Sequence, residues 1–151
     1  MSNKWTCKKF GELSPTELYH LLRLRSEVFV VEQKCVFLDM DNMDQECFHL
    51  MGYMENDLVA YARIVPPGAV YKEASIGRVV TASSVRRKGA GKLLMQEAIG
   101  KCNELFDNTN IKIGAQLYLK NFYGSFGFIQ VSDVYLEDGI EHIYMLKNAA
   151  T

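Results

Sequence analysis

The sequence has no run of apolar residues that approaches the roughly 20 a helix needs to cross a membrane. Its first residues, Met1–Trp5, form no apolar stretch of the kind found in secretion signals. Both absences favour a soluble, cytoplasmic protein that does not contact a membrane. No repeat, linker or low-complexity segment divides the 151 residues, so we expect a single domain over residues 1–151.

The sequence also lacks any C-x-x-C pair, and no pair of histidines accompanies its cysteines. It therefore predicts neither a metal site nor a redox motif. A hydrophobic share of 48% and a charged share of 23% lie near the globular average, which excludes a disordered or fibrous chain. In a reducing cytoplasm we expect free, buried thiols at the four cysteines, Cys7, Cys35, Cys47 and Cys102.

The chain has almost no net charge, since 17 basic and 18 acidic residues leave −1. An excess of positive charge is typical of proteins that bind nucleic acid, so we expect no such partner. The charge is nevertheless unevenly distributed. Residues 35–62 contain six acids and no Lys or Arg, whereas residues 74–96 contain five basic residues and no acid. The first segment suits a cationic ligand and the second suits an anionic one.

A helix is predicted over residues 15–31. Ser14 and Glu17 form a capping-box pattern, Pro15 takes the first helical position, and apolar residues follow at helical spacing. The segment 34–46 has no clear period and many acids, and is expected to be a loop or a frayed helix. Strands are predicted before and after these segments, at residues 5–10, 48–54, 58–65 and 74–80.

The second half alternates strands with helices. Helices are predicted over residues 89–102 and 117–126, a strand over 111–115, and a final hairpin from strands 130–135 and 140–147. This order predicts an α/β (α+β) domain, with a mixed, mostly antiparallel sheet flanked by helices.

The basic, glycine-rich segment Arg86-Arg87-Lys88-Gly89-Ala90-Gly91 lies between a predicted strand and a predicted helix. Glycines let the backbone approach a ligand closely, and the N–H groups at a helix start suit a phosphate. The segment fits neither the dinucleotide-binding fingerprint nor the Walker loop, because Leu94, Arg86 and Leu93 stand where those motifs need other residues. A solvated basic turn is the structural alternative.

The chain resembles the GNAT superfamily of acyl-CoA-dependent N-acetyltransferases, because Arg86, Gly89 and Gly91 match its pyrophosphate-loop pattern Gln/Arg-x-x-Gly-x-Gly/Ala. It is most similar to the ElaA-like group of that superfamily. The matching blocks span about residues 18–147 in family order: residues 24–33, 60–63, 76–79, 114–116, 121–123 and 126–128.

This resemblance implies a twisted sheet whose fourth and fifth strands, here about 74–80 and 111–115, splay apart to hold acetyl-CoA. It implies that backbone groups around Val79, Val80 and Thr81 pair with the pantetheine arm. The N–H groups from Arg87 to Lys92 would hold the pyrophosphate. Gln116 replaces an Asn that is frequent in the family. The full set of expected acetyl-CoA-binding residues is Val79, Val80, Thr81, Arg86, Arg87, Lys88, Gly89, Ala90, Gly91, Lys92, Gln116, Asn121 and Phe122.

Acetyl transfer to an amine needs a base for the amine, donors for the oxyanion, and an acid for the leaving thiolate. Backbone N–H groups at Val79 or Val80 are candidates for the donors. Tyr123 occupies the family position of the acid, and a core aromatic is the alternative for it. For the base we rank Glu32 first, expecting partial burial to raise its pKa, and His49 second. Pairing of Glu32 with Arg25 or Arg63 is the structural alternative.

A lone histidine is more often a structural hydrogen-bonding group than a base, and this applies to His142 as well as to His49. The acidic stretch 39–46 does not match an EF-hand, because its twelfth position from Asp39 is Leu50. It is expected to be a solvated loop that could form a wall for a cationic acceptor amine.

The sequence thus favours an acetyl-CoA:amine N-acetyltransferase that works by direct transfer in a ternary complex, without metal. Three alternatives stay open: transfer to a hydroxyl or of a longer acyl chain, a non-catalytic acyl-CoA sensor, and, least favoured, a nucleic-acid binder. The identity of the acceptor is not readable from the sequence, and a homodimer is compatible with it.

Overall fold

Four apolar segments in the first half of the chain form a four-stranded antiparallel sheet. In the computed structural model, which describes residues 3–149, its strands lie in sequence order. They are β1 (Asn3–Lys9), β2 (Phe48–Met54), β3 (Asp57–Val65) and β4 (Ser75–Thr81). The predicted strands of this half are confirmed, and β1 is the edge strand that the sequence predicts.

The second sheet is built around the C-terminal strand. It contains β5 (Ile111–Gln116), β6 (Ile129–Gln130), β7 (Tyr135–Glu137) and β8 (Ile140–Lys147), and β8 pairs with each of the other three. The prediction of one strand over 130–135 is wrong. The Tyr144 N–H donates to the Ser132 side-chain oxygen at 2.9 Å, so a side chain replaces a strand partner there and the ladder is interrupted.

The helices begin where the sequence predicts but differ in length and winding. The capping box of Ser14 and Glu17 is present at the start of α1 (Pro15–Arg25). The helical path then continues through Ser26–Glu32 with the wider winding of a π-helix, which the periodicity did not indicate. The helix α2 (Ala90–Phe106) ends at Phe106 rather than Cys102, and α3 (Lys120–Gly124) follows a 3-10 turn at Leu117–Leu119.

The first sheet is covered by helices on both faces. Leu21 and Leu24 of α1 pack against Met51 and Tyr61 on one face. On the other face, residues of α2 and of the second sheet pack against β2, β3 and β4. Burial on both faces explains why β3 is buried continuously from Val59 to Val65 rather than at alternate positions.

The strands β4 and β5 meet only where they begin. Ala74 forms a parallel bridge with Ile111, and the Lys112 N–H donates to the Ala74 carbonyl at 2.9 Å. Beyond this bridge the structure of residues 3–149 has no β4–β5 ladder, so the strands diverge and leave a V-shaped opening. This confirms the splayed strand pair that the resemblance implies.

Two expectations from composition can be compared with the fold. Cys47 and Cys102 are buried free thiols, but Cys7 and Cys35 are only half-buried, so burial of all four cysteines was wrong. Within residues 3–149 no helix is long and apolar enough to cross a bilayer, and no group of three His, Cys, Asp or Glu has the geometry of a metal site.

Candidate active site

The opening between β4 and β5 forms one cleft of about 920 Å³. Its walls come from the π-helical turns, the loop after them, both splayed strands and the β7–β8 hairpin. Of the residues predicted from the sequence, seven line it: Glu32, Val79, Val80, Thr81, Arg86, Gln116 and Tyr123. The predicted residues His49, Arg87–Lys92, Asn121 and Phe122 do not.

The β4 wall presents backbone groups to the cleft. Beyond Ala74, β4 is a strand edge, and an edge strand carries a row of N–H and C=O groups without a strand partner. The register with β3 shifts here, because Tyr61 opposes Val80 while Arg63 opposes Gly77. The resulting bulge holds Arg78 at φ +50°, a left-handed conformation that is uncommon outside glycine. Bulges re-aim the backbone, and this one lies directly before Val79 and Val80.

The start of α2 presents N–H groups and basic side chains beside the cleft, a combination that suits an anion. Gly89, the residue before the helix, has φ +78°, and no side chain caps the helix start. The first N–H groups of a helix have no partner within it, and its N-terminus carries a partial positive charge. Arg86, Arg87, Lys88 and Lys92 add positive charge around these groups.

Two residues of that segment have packing roles as well. Ala90 is buried in a small cluster with Val59 and Val85. Gly91 lies against Phe122, whose ring would be 3.7 Å from a Cβ at that position. Phe122 therefore supports the start of α2 rather than lining the cleft, while Asn121 is exposed.

Glu32 does not have the environment expected for a base. Its side chain is exposed and forms an ion pair with Arg86, across the mouth of the cleft. The hydrogen bond from Arg86 lowers the pKa of Glu32 from its ordinary value. The expectation that Glu32 is partly buried with a raised pKa is therefore wrong. The alternative partners, Arg25 and Arg63, are also wrong, since neither contacts this carboxylate. Arg86 also donates to the Thr81 carbonyl at 3.0 Å, which places its guanidinium between β4 and α2.

His49 is a structural residue of the core. It is fully buried, its Nδ1 lies 2.7 Å from the Tyr61 hydroxyl, and its Nε2 lies 2.8 Å from the Asp44 carbonyl. Burial lowers the pKa of this imidazole. Because both ring nitrogens are engaged and the side chain lies outside the cleft, the structure contradicts the assignment of His49 as the base.

Two phenols line the cleft, the exposed Tyr118 and the buried Tyr123, and Tyr123 is the predicted acid. It lies on α3, is 8% exposed, and packs its ring against Phe122 and Phe128. Burial raises its pKa to about 12, so the phenol stays protonated at neutral pH. No hydrogen bond among the described residues uses its hydroxyl, which is therefore available to a ligand. Gln116, at the end of β5, lines the same cleft.

The acidic stretch is a largely exposed loop, as expected from its composition, but Asp39 and Asp44 within it are buried rather than solvated. Three of its carboxylates reach back to three arginines, and we call these six residues the charge cluster: Arg25, Arg63, Arg78, Asp39, Asp41 and Asp44. Arg25 is 0% exposed and binds Asp39 and Asp44, each at 2.8 Å. The charge cluster holds the loop against β3 and β4. The sequence analysis did not predict these ion pairs.

The remaining contacts of the charge cluster complete its neutralisation. Arg63 binds Asp41 through two nitrogens at 2.8 Å and Asp44 at 3.1 Å. Arg78, at the β4 bulge, binds the Asp39 carboxylate and carbonyl at 2.8 Å. Burial alone would raise the pKa of Asp41 and Asp44, but the hydrogen bonds and charges of the arginines outweigh it and lower both pKa values. These carboxylates are therefore poor acceptors of a proton and are not free to hold a cationic amine.

The opposite wall carries a second set of polar side chains. Glu137, Asp138 and His142 of the β7–β8 hairpin line the cleft. The first two lie between the predicted hairpin strands 130–135 and 140–147, and no sequence signal indicated that this turn folds back over the cleft.

Comparisons with known proteins agree with this geometry. The family model described as "Acetyltransferase (GNAT) domain" matches residues 23–149. Protein ElaA of Escherichia coli is 41% identical over 146 residues, which cover 95% of each chain. The crystal structure of E. coli ElaA matches with a TM-score of 0.91 and covers 97% of this chain and 100% of that one.

Two further solved structures are similar. An acyl-CoA N-acyltransferase from Pseudomonas aeruginosa is 42% identical, with a TM-score of 0.93, and the match covers 97% of this chain and 99% of that one. A GNAT family acetyltransferase from Elizabethkingia anophelis with acetyl-CoA bound is 16% identical, with a TM-score of 0.64 over 97% of both chains, and so shares the fold. The chain belongs to the GNAT acetyltransferase family and is similar to ElaA.

Proposed function

We propose that the protein transfers an acetyl group from acetyl-CoA to a primary amine, by direct attack within a ternary complex. The observation that carries this proposal is one cleft lined by an unpaired strand edge and a buried phenol, with an uncapped, basic helix start beside it. The strand edge suits the pantetheine arm of an acyl-CoA, the helix start suits its pyrophosphate, and the phenol can give a proton to the leaving thiolate. The bound acetyl-CoA in the E. anophelis protein of the same fold supports the choice of substrate.

The residues present fit acetyl-CoA. The volume of about 920 Å³ suits a large cofactor-like ligand. The backbone edge of Val79–Thr81 would pair with the amides of the pantetheine arm, as an added strand would. The N–H groups of residues 87–92 and the side chain of Arg86 would hold the pyrophosphate. Binding of the phosphates requires Arg86 to be shared with, or released from, Glu32.

The reaction forms a C–N bond and breaks a C–S bond. The neutral amine nitrogen attacks the thioester carbon, and the carbonyl oxygen becomes an oxyanion that the N–H groups of Val79 or Val80 would stabilise. Collapse of this intermediate expels the thiolate, which takes the proton of the Tyr123 hydroxyl. From ammonium to amide the nitrogen loses two protons in total, one before the attack and one after it; one replaces the Tyr123 proton and the other leaves for solvent.

Replacement of Tyr123 tests the acid role. Tyr123→Phe keeps the buried ring and removes the hydroxyl, so thiol release from acetyl-CoA in the presence of amines should fall by about ten- to a hundredfold. Calorimetric affinity for acetyl-CoA should not change. Tyr19→Phe, on the exposed face of α1, is the matched control. An unchanged rate in Tyr123→Phe would remove Tyr123 from the acid role.

Replacement of Gly89 tests the binding end. A Val side chain at φ +78° strains the backbone by about 1–2 kcal/mol and places a Cβ where the pyrophosphate would approach, so affinity for acetyl-CoA should fall about tenfold or more. Gly100→Val, in the middle of the same helix, is the control, because nothing lies within 4 Å of a Cβ there. Equal affinities for the two variants would contradict the assignment of the loop.

The same thiol-release assay separates the proposal from its alternatives. Direct transfer predicts that Cys35→Ser keeps its activity, and Cys35 is the cysteine that lines the cleft. Release that depends on alcohols but not on amines would indicate O-acyl transfer. Binding of acetyl-CoA without release for any acceptor would indicate a sensor.

A further inference from the structure

We propose that His142 is the group that accepts the proton of the acceptor amine, and that Glu137 positions it and passes the proton to solvent. This inference rests on the proposed function, since it names the missing base of that reaction. It places the acceptor at the end of the cleft formed by the β7–β8 hairpin.

His142 is held firmly in the cleft wall. It lies on β8, directly opposite Gln116 of β5 in the antiparallel register, and is 7% exposed. Its ring stacks on Tyr135, with ring centroids 5.7 Å apart. The side chain of Gln116, on the neighbouring strand, lines the same cleft. An imidazole fixed in this way needs little reordering to act on a substrate.

The hydrogen bond of its ring determines which nitrogen can accept a proton. His142 Nδ1 lies 2.8 Å from the Ile140 carbonyl, which can only accept a hydrogen bond. Nδ1 therefore carries the hydrogen, and in the neutral ring the lone pair lies on Nε2. When Nε2 takes a proton, the Glu137 carboxylate 3.5 Å away stabilises the resulting cation. The side chain of Glu137 is 61% exposed, so the proton has a route from the cleft to water.

Outside the β7–β8 hairpin, the carboxylates of the cleft already form ion pairs with arginines. The carboxylate of Glu32 is bound by Arg86, and that of Asp41 is bound by Arg63 and Arg78. His49 lies outside the cleft with both nitrogens engaged. Among the cleft-lining proton acceptors of residues 3–149, the hairpin residues Glu137, Asp138 and His142 are therefore the ones without an arginine partner.

The proton balance of acetyl transfer agrees with this placement. An alkylammonium must lose a proton before its nitrogen can attack, because a primary amine of the lysine type has a pKa of about 10.4. That proton goes to His142 Nε2, then to water beside Glu137. The second proton, lost when the tetrahedral intermediate collapses, restores the Tyr123 hydroxyl. One proton is released overall for each thiol formed.

Nitrogen-15 NMR of the imidazole rings tests the state of His142 without any substrate. The chain has only three histidines, so the spectrum is simple, and the loss of one ring in His142→Asn assigns it. At alkaline pH the ring of His142 should be protonated at Nδ1 and unprotonated at Nε2. The opposite tautomer would overturn the proposal, because Nε2 could then not accept a proton.

Kinetics with two small probes test the role itself. We choose n-butylamine, which is protonated at neutral pH, and hydroxylamine, which is not. His142→Asn keeps a donor near the Nδ1 position and removes Nε2. With n-butylamine it should lower the rate of thiol release from acetyl-CoA by about 10²–10⁴-fold. The rate with hydroxylamine should fall far less. Glu137→Gln should show the same pattern with a smaller loss. Glu141→Gln is the control, since this exposed neighbour points to the other face of β8.

The outcomes separate the two proposals. An equal loss with both probes would mean that His142 only shapes the site, and no loss would also overturn its role. If the unmodified protein releases no thiol with either probe or with any other primary amine, the proposed function fails, while the NMR spectrum still decides the tautomer of His142. Acetyl-CoA affinity measured by calorimetry should be unchanged in all three variants.

Discussion

The two walls of the cleft hold carboxylates in opposite ways. On the loop side, Asp39 and Asp44 are buried and Asp41 is partly exposed, and each of the three is bound to an arginine. On the hairpin side, Glu137 and Asp138 are exposed and have no arginine partner. A charge removed from water must be paired, whereas a solvated one need not be. The first wall therefore stabilises the fold around the cleft, and the second is available for proton transfer and for an incoming cation.

The bulge on β4 is bound to the loop side of the cleft. Arg78 lies at the bulge in a left-handed conformation, and its guanidinium binds Asp39. The loop side thus fixes the backbone that precedes Val79 and Val80. A rigid wall suits oxyanion donors, which must be in place before charge develops. A hydrated wall suits the entry of an amine and the exit of a proton.

Breaking the charge cluster should have the largest effect. Asp44→Asn removes the carboxylate that Arg25 and Arg63 share, and leaves a buried guanidinium with less compensation. We expect the free energy of unfolding to fall by about 3–5 kcal/mol, measured by urea denaturation. Glu46→Gln, two residues away and exposed, is the control and should change little. A loss of less than about 1 kcal/mol in Asp44→Asn would contradict a structural role for the cluster.

Acid should weaken the same wall selectively. The pKa values of Asp41 and Asp44 are lowered below their ordinary value of 3.8, so folding favours the charged carboxylates. Their contribution to stability is present above that value and is lost as the pH falls through it toward the folded-state pKa values. The free energy of unfolding should therefore begin to drop below about pH 5 and continue to drop toward the folded-state pKa values, and it should drop less in Asp44→Asn. Parallel pH profiles for the two proteins would contradict this account.

Changes on the hairpin wall should have the smallest effect on stability. Asp138→Asn removes an exposed carboxylate without an arginine partner, so the free energy of unfolding should change by no more than about 0.5 kcal/mol. The same urea experiment measures it. A loss comparable to that of Asp44→Asn would erase the proposed difference between the two walls.

Local signals in the sequence predicted most of the fold. The capping box of Ser14 and Glu17, the hairpin turn between β2 and β3, and Gly89 before α2 each act within a few residues, so their consequences are readable along the chain. The family resemblance supplied what local signals do not, namely that β4 and β5 diverge.

The errors concern contacts between residues that are distant in sequence. Arg25 is 14 residues from Asp39, Arg78 is 39 residues from Asp39, and Arg86 is 54 residues from Glu32. Charge composition made the acidic stretch resemble a solvated loop, because composition does not reveal which charges meet after folding. The break in the strand at residues 131–134 was missed for a related reason. There the Ser132 side chain, instead of a backbone carbonyl, accepts the hydrogen bond of the Tyr144 N–H of β8.

Calorimetric titration with acetyl-CoA, followed in the same sample by thiol release across a panel of primary amines, tests the central claim most directly. The account predicts one site per chain, with an affinity of about micromolar, and thiol release that depends on the amine. Binding without release for every acceptor would contradict the transferase and favour a sensor. Absence of binding would contradict the assignment of the cleft to acetyl-CoA.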